Sequence, residues 1–378
     1  MFKILTLVGA RPQFIKSAAI SRVIRDSFSE EIEEILVHSG QHYNSMMSDL
    51  FFHELELSPP KYKFDLKSIR HSGQVSEISL QLDIVIQKES PNAILVYGDT
   101  NTTLAGALVA SKNNIPLIHV EAGLRSFNKT MPEEINRVLT DHCSSLLFCP
   151  VQCAVDNLSN EGIVHSSSTE CTSDTPKVYK CGDIMYDNSM FFSNKMIKDD
   201  YHSIYSFKDF LLFTMHRPYN TDNSERLMTI CEMLMTFSNN QRKKIVFPLH
   251  PRTKKALENS LDNQMLFSFM NHPWIEIIQP ISFKEMIFLE LSCDFIITDS
   301  GGIQKEAYFF EKPCLILRSE TEWVEIIEQG AAMLVDAHIE DLTKKYLILS
   351  KAKIKYPKLF GDGKSSKFIC DIILKELS

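Results

Sequence analysis

The strongest constraint on this chain is an alternation repeated along it: a short apolar run, a turn signal, then a longer helical stretch. Such runs lie at residues 4–8, 34–38, 93–97, 117–120 and 146–149 in the first half. They recur at 210–214, 245–248, 275–279, 295–298, 314–317 and 332–335 in the second. Most are apolar along nearly their whole length, the mark of a strand covered on both faces. Strands of that kind separated by helices build the parallel sheets of an α/β fold. Because the pattern appears twice, it implies two Rossmann-like, doubly wound domains facing each other across a cleft. A length of 378 residues accommodates two such cores.

The seam is expected after residues 178–181, where Gly182 and Asp183 precede a polar helical stretch at 186–209. Residues 1–182 then form the first domain and 183–363 the second. An amphipathic stretch at 366–377, within a final segment 364–378, is placed to return to the first domain. Residues 165–176 are rich in Ser and Thr without periodicity and read as an exposed loop.

Charge and composition exclude several classes. Forty Lys and Arg stand against 48 Asp and Glu, a net charge of −8 that argues against a dedicated nucleic-acid binder. No run approaches the length of a membrane-spanning helix, and the apolar run near the N-terminus is too short for a signal-peptide core. Nine cysteines, scattered without CxxC or zinc-type spacing, read as reduced thiols. The expectation is a soluble cytoplasmic protein without a metal or a membrane partner.

In parallel sheets ligands bind beyond the carboxyl ends of the strands, so the residues after each run carry the argument. The first run leads into Gly9-Ala10-Arg11-Pro12, then Lys16. Two cations near a helix start suit a phosphate or carboxylate, although a solvated pair would look the same. This is not the GxGxxG of a dinucleotide site. Gly98-Asp99-Thr100 follows the third run, where Asp99 serves either chemistry or helix capping. His119-Val120-Glu121-Ala122-Gly123-Leu124-Arg125 follows the fourth, and Pro132-Glu133-Glu134 opens the next helix. Asp99, Glu121 and Glu133 at one sheet edge form a set suited to proton transfer or to stabilising a developing cation.

The second half offers cations and a phosphate-type turn. His216 and Arg217 follow one strand, and His250 another. Asp299-Ser300-Gly301-Gly302 exposes backbone N–H groups at a helix start, a seat for a diphosphate or simply a tight turn. Glu306, one turn on, is placed to accept hydrogen bonds from ribose hydroxyls, and Arg318 adds a cation at the same edge.

In order along the chain, Gly9-Ala10-Arg11-Pro12…Lys16, Gly40-Gln41-His42, Gly98-Asp99-Thr100, residues 119–125, Pro132-Glu133-Glu134…Asn136-Arg137, His216-Arg217 and residues 298–304 resemble the non-hydrolysing UDP-N-acetylglucosamine 2-epimerase family. The ordered set is specific where each motif alone is weak, and it spans residues 4 to about 330. The resemblance implies two Rossmann-like domains similar to GT-B glycosyltransferases, usually in a homodimer. It implies interconversion of UDP-GlcNAc and UDP-ManNAc by loss of UDP, formation of 2-acetamidoglucal and re-addition, with no cofactor. Asp99, Glu121, Glu133 and His216 match the family's catalytic positions. Arg11, Lys16, Ser300, Gly301, Gly302 and Glu306 match its substrate contacts. Gln41, His42 and Arg70 would lie at its allosteric substrate site.

Two departures bear on the substrate. The family's common His-Arg-x-Glu-Asn is His216-Arg217-Pro218-Tyr219-Asn220 here, which leaves His216 and Arg217 in place and brings the support from that Glu into question. Residues 308–310 and 320–325 look like the branch acting on UDP-2,3-diacetamido-2,3-dideoxy-glucuronate for O-antigen. A GT-B glycosyltransferase, a hydrolysing 2-epimerase and a non-catalytic UDP-sugar sensor remain as rivals.

Overall fold

In the computed structural model, which describes residues 1–41, 52–198 and 207–378, the apolar runs become strands buried on both faces. Ile94, Leu95, Val96 and Tyr97 are fully buried, as are Leu211, Leu212 and Phe213 in the second half. The strand pairings are parallel, so successive strands need crossovers, which the helices supply. The described chain divides into two compact units, Met1–Asn188 with Lys358–Ser378, and Ser189–Pro357.

The first unit runs β1 (Phe2–Val8), α1 (Arg11–Ser27), β2 (Ile32–His38), β3 (Tyr62–Lys63), α2 (His71–Glu89), β4 (Ala93–Tyr97), α3 (Asn101–Lys112) and β5 (Leu117–Val120). It continues with α4 (Pro132–Cys143), β6 (Leu146–Cys149), α5 (Gln152–Asn160), β7 (Lys177–Lys180) and the start of α6 (Ile184–Lys198). Its sheet has the order β3-β2-β1-β4-β5-β6-β7. The winding reverses between β1 and β4, the switch point beyond which ligands collect in such sheets. Leu5, Leu7, Val37, Ile94 and Val96 form its core with Ile78 and Leu82 of α2.

The second unit runs β8 (Phe210–Thr214), α7 (Pro218–Thr221), α8 (Ser224–Gln241), β9 (Lys244–Pro248), α9 (Pro251–Ser260), α10 (Asn263–Met270) and β10 (Ile275–Ile278). Then come α11 (Phe283–Ser292), β11 (Phe295–Thr298), α12 (Gly301–Phe309), β12 (Cys314–Ile316), α13 (Val324–Glu328), β13 (Ala332–Leu334) and α14 (Ile339–Lys351). Sheet order is β10-β9-β8-β11-β12-β13, with the reversal between β8 and β11. Phe213 and Phe247 meet edge to face at 4.6 Å in its core.

After Pro357 the chain is again part of the first unit. There α15 (Ser365–Leu377) packs against α1, and Glu376 accepts a bond from the Tyr179 hydroxyl at 2.6 Å. The Asp187 carboxylate accepts the backbone N–H groups of Ser365 and Ser366 at the start of that helix.

Local differences from the sequence reading have simple causes. The edge strand β3 has two residues, too few to show a pattern. The helix expected over 186–209 is Ile184–Lys198, and residues 199–206 lie outside those described. Residues 165–176 contain no regular element. They are tied by Ser166 N–H to the Pro176 carbonyl and by the Lys177 ammonium to the Ser166 carbonyl. Among the described residues, no helix is long and apolar enough to cross a membrane.

Candidate active site

In the first unit, the turns after β1 and β4 are tied together by Gln13. Its Oε1 accepts the N–H groups of Gly9 at 2.8 Å and Ala10 at 3.1 Å. Its Nε2 donates to the Tyr97 carbonyl at 2.9 Å and Thr103 Oγ1 at 3.0 Å. Gly9 must be glycine, because a Cβ there would lie 2.0 Å from Ser39 Oγ and 2.3 Å from Thr102 Oγ1. Arg11 then opens α1 in an exposed position, while Lys16 is turned inward and nearly buried.

Lys16 forms an ion pair with Glu121, just past β5. Glu121 has φ of +71°, a left-handed conformation that an L side chain adopts only at a cost of about 1–2 kcal/mol. Its N–H and that of Ala122 both donate to the Phe148 carbonyl, which holds the backbone in place.

Asp99 is not a helix cap. That role belongs to Thr100, whose hydroxyl accepts the Thr103 N–H. The Asp99 carboxylate instead receives Arg137 Nη2, and its carbonyl receives Asn136 Nδ2 at 2.9 Å. Arg137 also donates to Glu134 at 2.6 Å. Burial works against the Arg137 charge, but Asp99 and Glu134 outweigh it and raise its pKa. Glu134 is the structural member of the Glu pair. Burial alone would raise its pKa, but the N–H groups of Ser126 and Phe127 and then Arg137 turn the shift downward. Glu133 stands exposed on the first turn of α4, on the helix face that carries Asn136 and Arg137.

Gln41 accepts Thr102 N–H at 3.0 Å and its hydroxyl at 2.7 Å. Arg70 is exposed at the N-cap of α2. Next to it, His71 Nδ1 lies 3.1 Å from Asn101 Nδ2. His42 lies outside the described residues.

In the second unit, a residue missing from the sequence-derived site organises the switch point. Asp299 is fully buried and accepts the N–H groups of His216 at 3.1 Å and Arg217 at 2.9 Å, with Asn220 Nδ2 at 3.0 Å. It also lies 3.4 Å from His216 Nδ1. In this structure Asp299 thus holds the His216-Arg217 turn. Burial lowers the pKa of His216, Asp299 opposes that, and Arg217 and Arg252 reinforce it, leaving a neutral imidazole at pH 7. The exposed His250 caps α9 by accepting Arg252 N–H, and its ring is 5.9 Å from that of His216.

Ser300 caps α12, and Gly301 and Gly302 form its first residues. Glu322 Oε1 lies 2.1 Å from where a Gly301 Cβ would sit, and its other oxygen accepts Arg318 Nη1 at 2.8 Å. Glu306 is nearly buried beside Glu290, whose pKa is raised well above the ordinary range by burial and then by Glu306. Among the described residues, no cluster of His, Cys, Asp and Glu is placed to hold a metal ion.

The family described as UDP-N-acetylglucosamine 2-epimerase matches residues 27–374. The chain belongs to this family. A UDP-N-acetylglucosamine 2-epimerase homolog of Methanococcus maripaludis is 43% identical over 98% of this chain and 99% of its own. The UDP-2,3-diacetamido-2,3-dideoxy-D-glucuronate 2-epimerase of Pseudomonas aeruginosa is 41% identical over 99% of both. Among solved structures, the Methanocaldococcus jannaschii UDP-GlcNAc 2-epimerase in complex with UDP-GlcNAc and UDP has a TM-score of 0.84 at 38% identity, covering 99% of each chain. The two-sheet α/β architecture of this epimerase is therefore the family's.

Asp299, Gln13 and Arg137 were each visible inside a motif. Their roles were not, because each acts through partners distant in sequence. A buried group beneath Asp99 was missed as well. It comprises His119, Asp141 and Arg125, with Arg125 reaching Glu161 at 2.7 Å.

Proposed function

We propose that this chain is a non-hydrolysing UDP-sugar 2-epimerase interconverting UDP-GlcNAc and UDP-ManNAc. The observation that carries the reading is the acid set at the first unit's switch point, where Asp99 and Glu121 each meet a cation on adjacent strand ends. The C2 proton of the sugar is not beside a carbonyl, so direct deprotonation is too costly. If the C1–O bond to UDP breaks first, the sugar becomes oxocarbenium-like and C2–H becomes acidic. A carboxylate then takes that proton, a C1–C2 double bond forms, and 2-acetamidoglucal and UDP remain. Protonation from the opposite face and return of UDP give the epimer.

Asp99, Glu121 and Glu133 serve as the acid–base set, with neutral His216 at the leaving group. Lys16 and Arg11 flank the first unit's turn. Ser300, Gly301 and Gly302 present α12 N–H groups to the diphosphate, with Arg217, His250 and Arg318 as cations, and Glu306 meets the ribose. Gln41, His42 and Arg70 form the second, regulatory substrate site.

Apolar Leu80 and Ile84 on α2, Leu108 on α3, and Ile135 and Leu139 on α4 are exposed on neighbouring helices. They support a homodimer, testable by sedimentation. The described cysteines are all free, which suits a reducing cytoplasm.

The test is NMR of the protein with UDP-GlcNAc in D2O. The expected result is UDP-ManNAc with deuterium at C2. Release of free ManNAc would replace this reading with hydrolysis, and a requirement for an acceptor sugar with glycosyl transfer. A second substrate, UDP-2,3-diacetamido-2,3-dideoxy-D-glucuronate, is supported by the full-length similarity to the P. aeruginosa protein and by residues 320–325. Exchange with that compound and none with UDP-GlcNAc would favour it.

A further inference from the structure

We infer that His119 is a buried imidazolium, protonated on both ring nitrogens, that acts as a positioning residue for the Asp99 turn. The inference rests on the reading of Asp99 as part of the acid–base set.

His119 lies on β5 with no exposure. Its Nε2 is 2.8 Å from the Gly98 carbonyl oxygen, which can only accept, so Nε2 carries a proton. Its Nδ1 is 2.7 Å from Asp141 Oδ1. The second oxygen of Asp141 accepts Arg125 Nη1 at 2.7 Å and the Gly123 N–H at 3.2 Å. The Arg125 guanidinium, itself almost wholly buried, holds Asp141 as a carboxylate. An ionised Asp141 has no proton to give, so Nδ1 must donate as well.

The charge balance agrees. His119 and Arg125 offset Asp141 and Glu161, leaving the cluster neutral. A neutral imidazole would leave Arg125 alone to offset both the fully buried Asp141 and the part-exposed Glu161, which is expensive for the buried carboxylate. The other charged groups packed around it are already matched. Lys16 faces Glu121, Arg137 faces Asp99 and Glu134, and His142 lies 3.6 Å from Glu161. Cys149 contributes a neutral thiol, its pKa pushed well up by burial and then by Asp141.

The consequence falls on Asp99. Gly98 sits at φ of +63°, with its N–H bonded to the Val120 carbonyl and its C=O held by the imidazolium. The peptide that launches Asp99 is thereby clamped to β5 on both sides.

The experiment uses the full-length protein labelled with 15N-histidine, with His119→Gln assigning the signal among the twelve histidines. One histidine should show protons on both ring nitrogens in the folded protein at neutral pH. A single N–H on His119 would overturn the inference, whatever the activity. In the epimerisation assay, His119→Gln and Asp141→Asn should lower kcat ~100-fold with little change in KM. A kcat left unchanged, or a KM that rises in step with the fall in kcat, would overturn the positioning role. If His119→Gln fails to fold, Asp141→Asn and the wild-type spectrum decide. Absence of epimerisation by the wild type would overturn the functional reading while leaving the NMR result to stand on its own.

Discussion

Removing one partner of the Lys16–Glu121 pair should destabilise the first unit more than removing both. Their side chains are only 9% and 16% exposed. At a separation of ~3 Å and an effective dielectric of ~20, Coulomb's law gives about 5 kcal/mol of attraction. Withdrawing two ions from water costs several kcal/mol each, so the pair as a whole nets close to zero. Lys16→Met leaves the Glu121 carboxylate without its cation in a nearly closed site, a loss of about 3–5 kcal/mol. Glu121→Gln strands the Lys16 ammonium at a similar loss. The double variant discards both desolvation terms together with the attraction and should fall within about 1–2 kcal/mol of wild type. Urea denaturation of all four proteins measures the coupling. The signal must be circular dichroism, because both tryptophans, Trp274 and Trp323, lie in the second unit. Single-variant losses that simply add in the double, within about 0.5 kcal/mol, would refute the argument that burial makes the charges interdependent. All three variants should lose epimerase activity, since each removes a site residue.

Three further outcomes are expected. Burial, and then Lys63, lower the His38 pKa to about 4. The unfolded chain binds a proton there below about 6.5 that the native state refuses, so stability should fall by about 3 kcal/mol from pH 7 to 4; His38→Gln should flatten that part of the curve in thermal melts. Burial, and then Glu306, raise the Glu290 pKa well above its ordinary 4.5, so the stability it contributes is lost as pH rises, and Glu290→Gln should raise the melting temperature at pH 8 relative to wild type and leave it unchanged at pH 4. In Gly301→Ala the new Cβ displaces the Glu322 carboxylate from its 2.1 Å approach, and since that group ends a flexible side chain, stability should change by less than about 1 kcal/mol, while KM for the UDP-sugar rises several-fold in initial-rate assays.

Much of the architecture was legible because it is written in local pattern. Runs such as Ala93–Tyr97 and residues 210–213 are apolar throughout, and only a strand buried on both faces calls for that. The helix opening at Pro132 was equally plain, since a proline at the first position followed by two acids satisfies the positive end of a helix. The short edge strand Tyr62–Lys63 was not, because two residues carry no period and their pairing depends on Val37 and His38, far away in sequence.

For the site, residue identities were readable and their partners were not. Ordered motifs marked Asp99, Glu121 and His216, since chemistry restricts which side chains can do such work after a strand. That Thr100 rather than Asp99 caps α3, that Glu121 sits at φ of +71°, and that Asp299 holds the His216 backbone are matters of tertiary contact. Composition and periodicity act over a few residues, so the sequence by itself determined which segments form strands and helices and which residue types stand at their ends. Hydrogen bonds and ion pairs are set by approach in space across gaps such as the 83 residues from His216 to Asp299. Only the folded sheet, by bringing those strand ends together, decided which carboxylates keep a charge and which cations hold them.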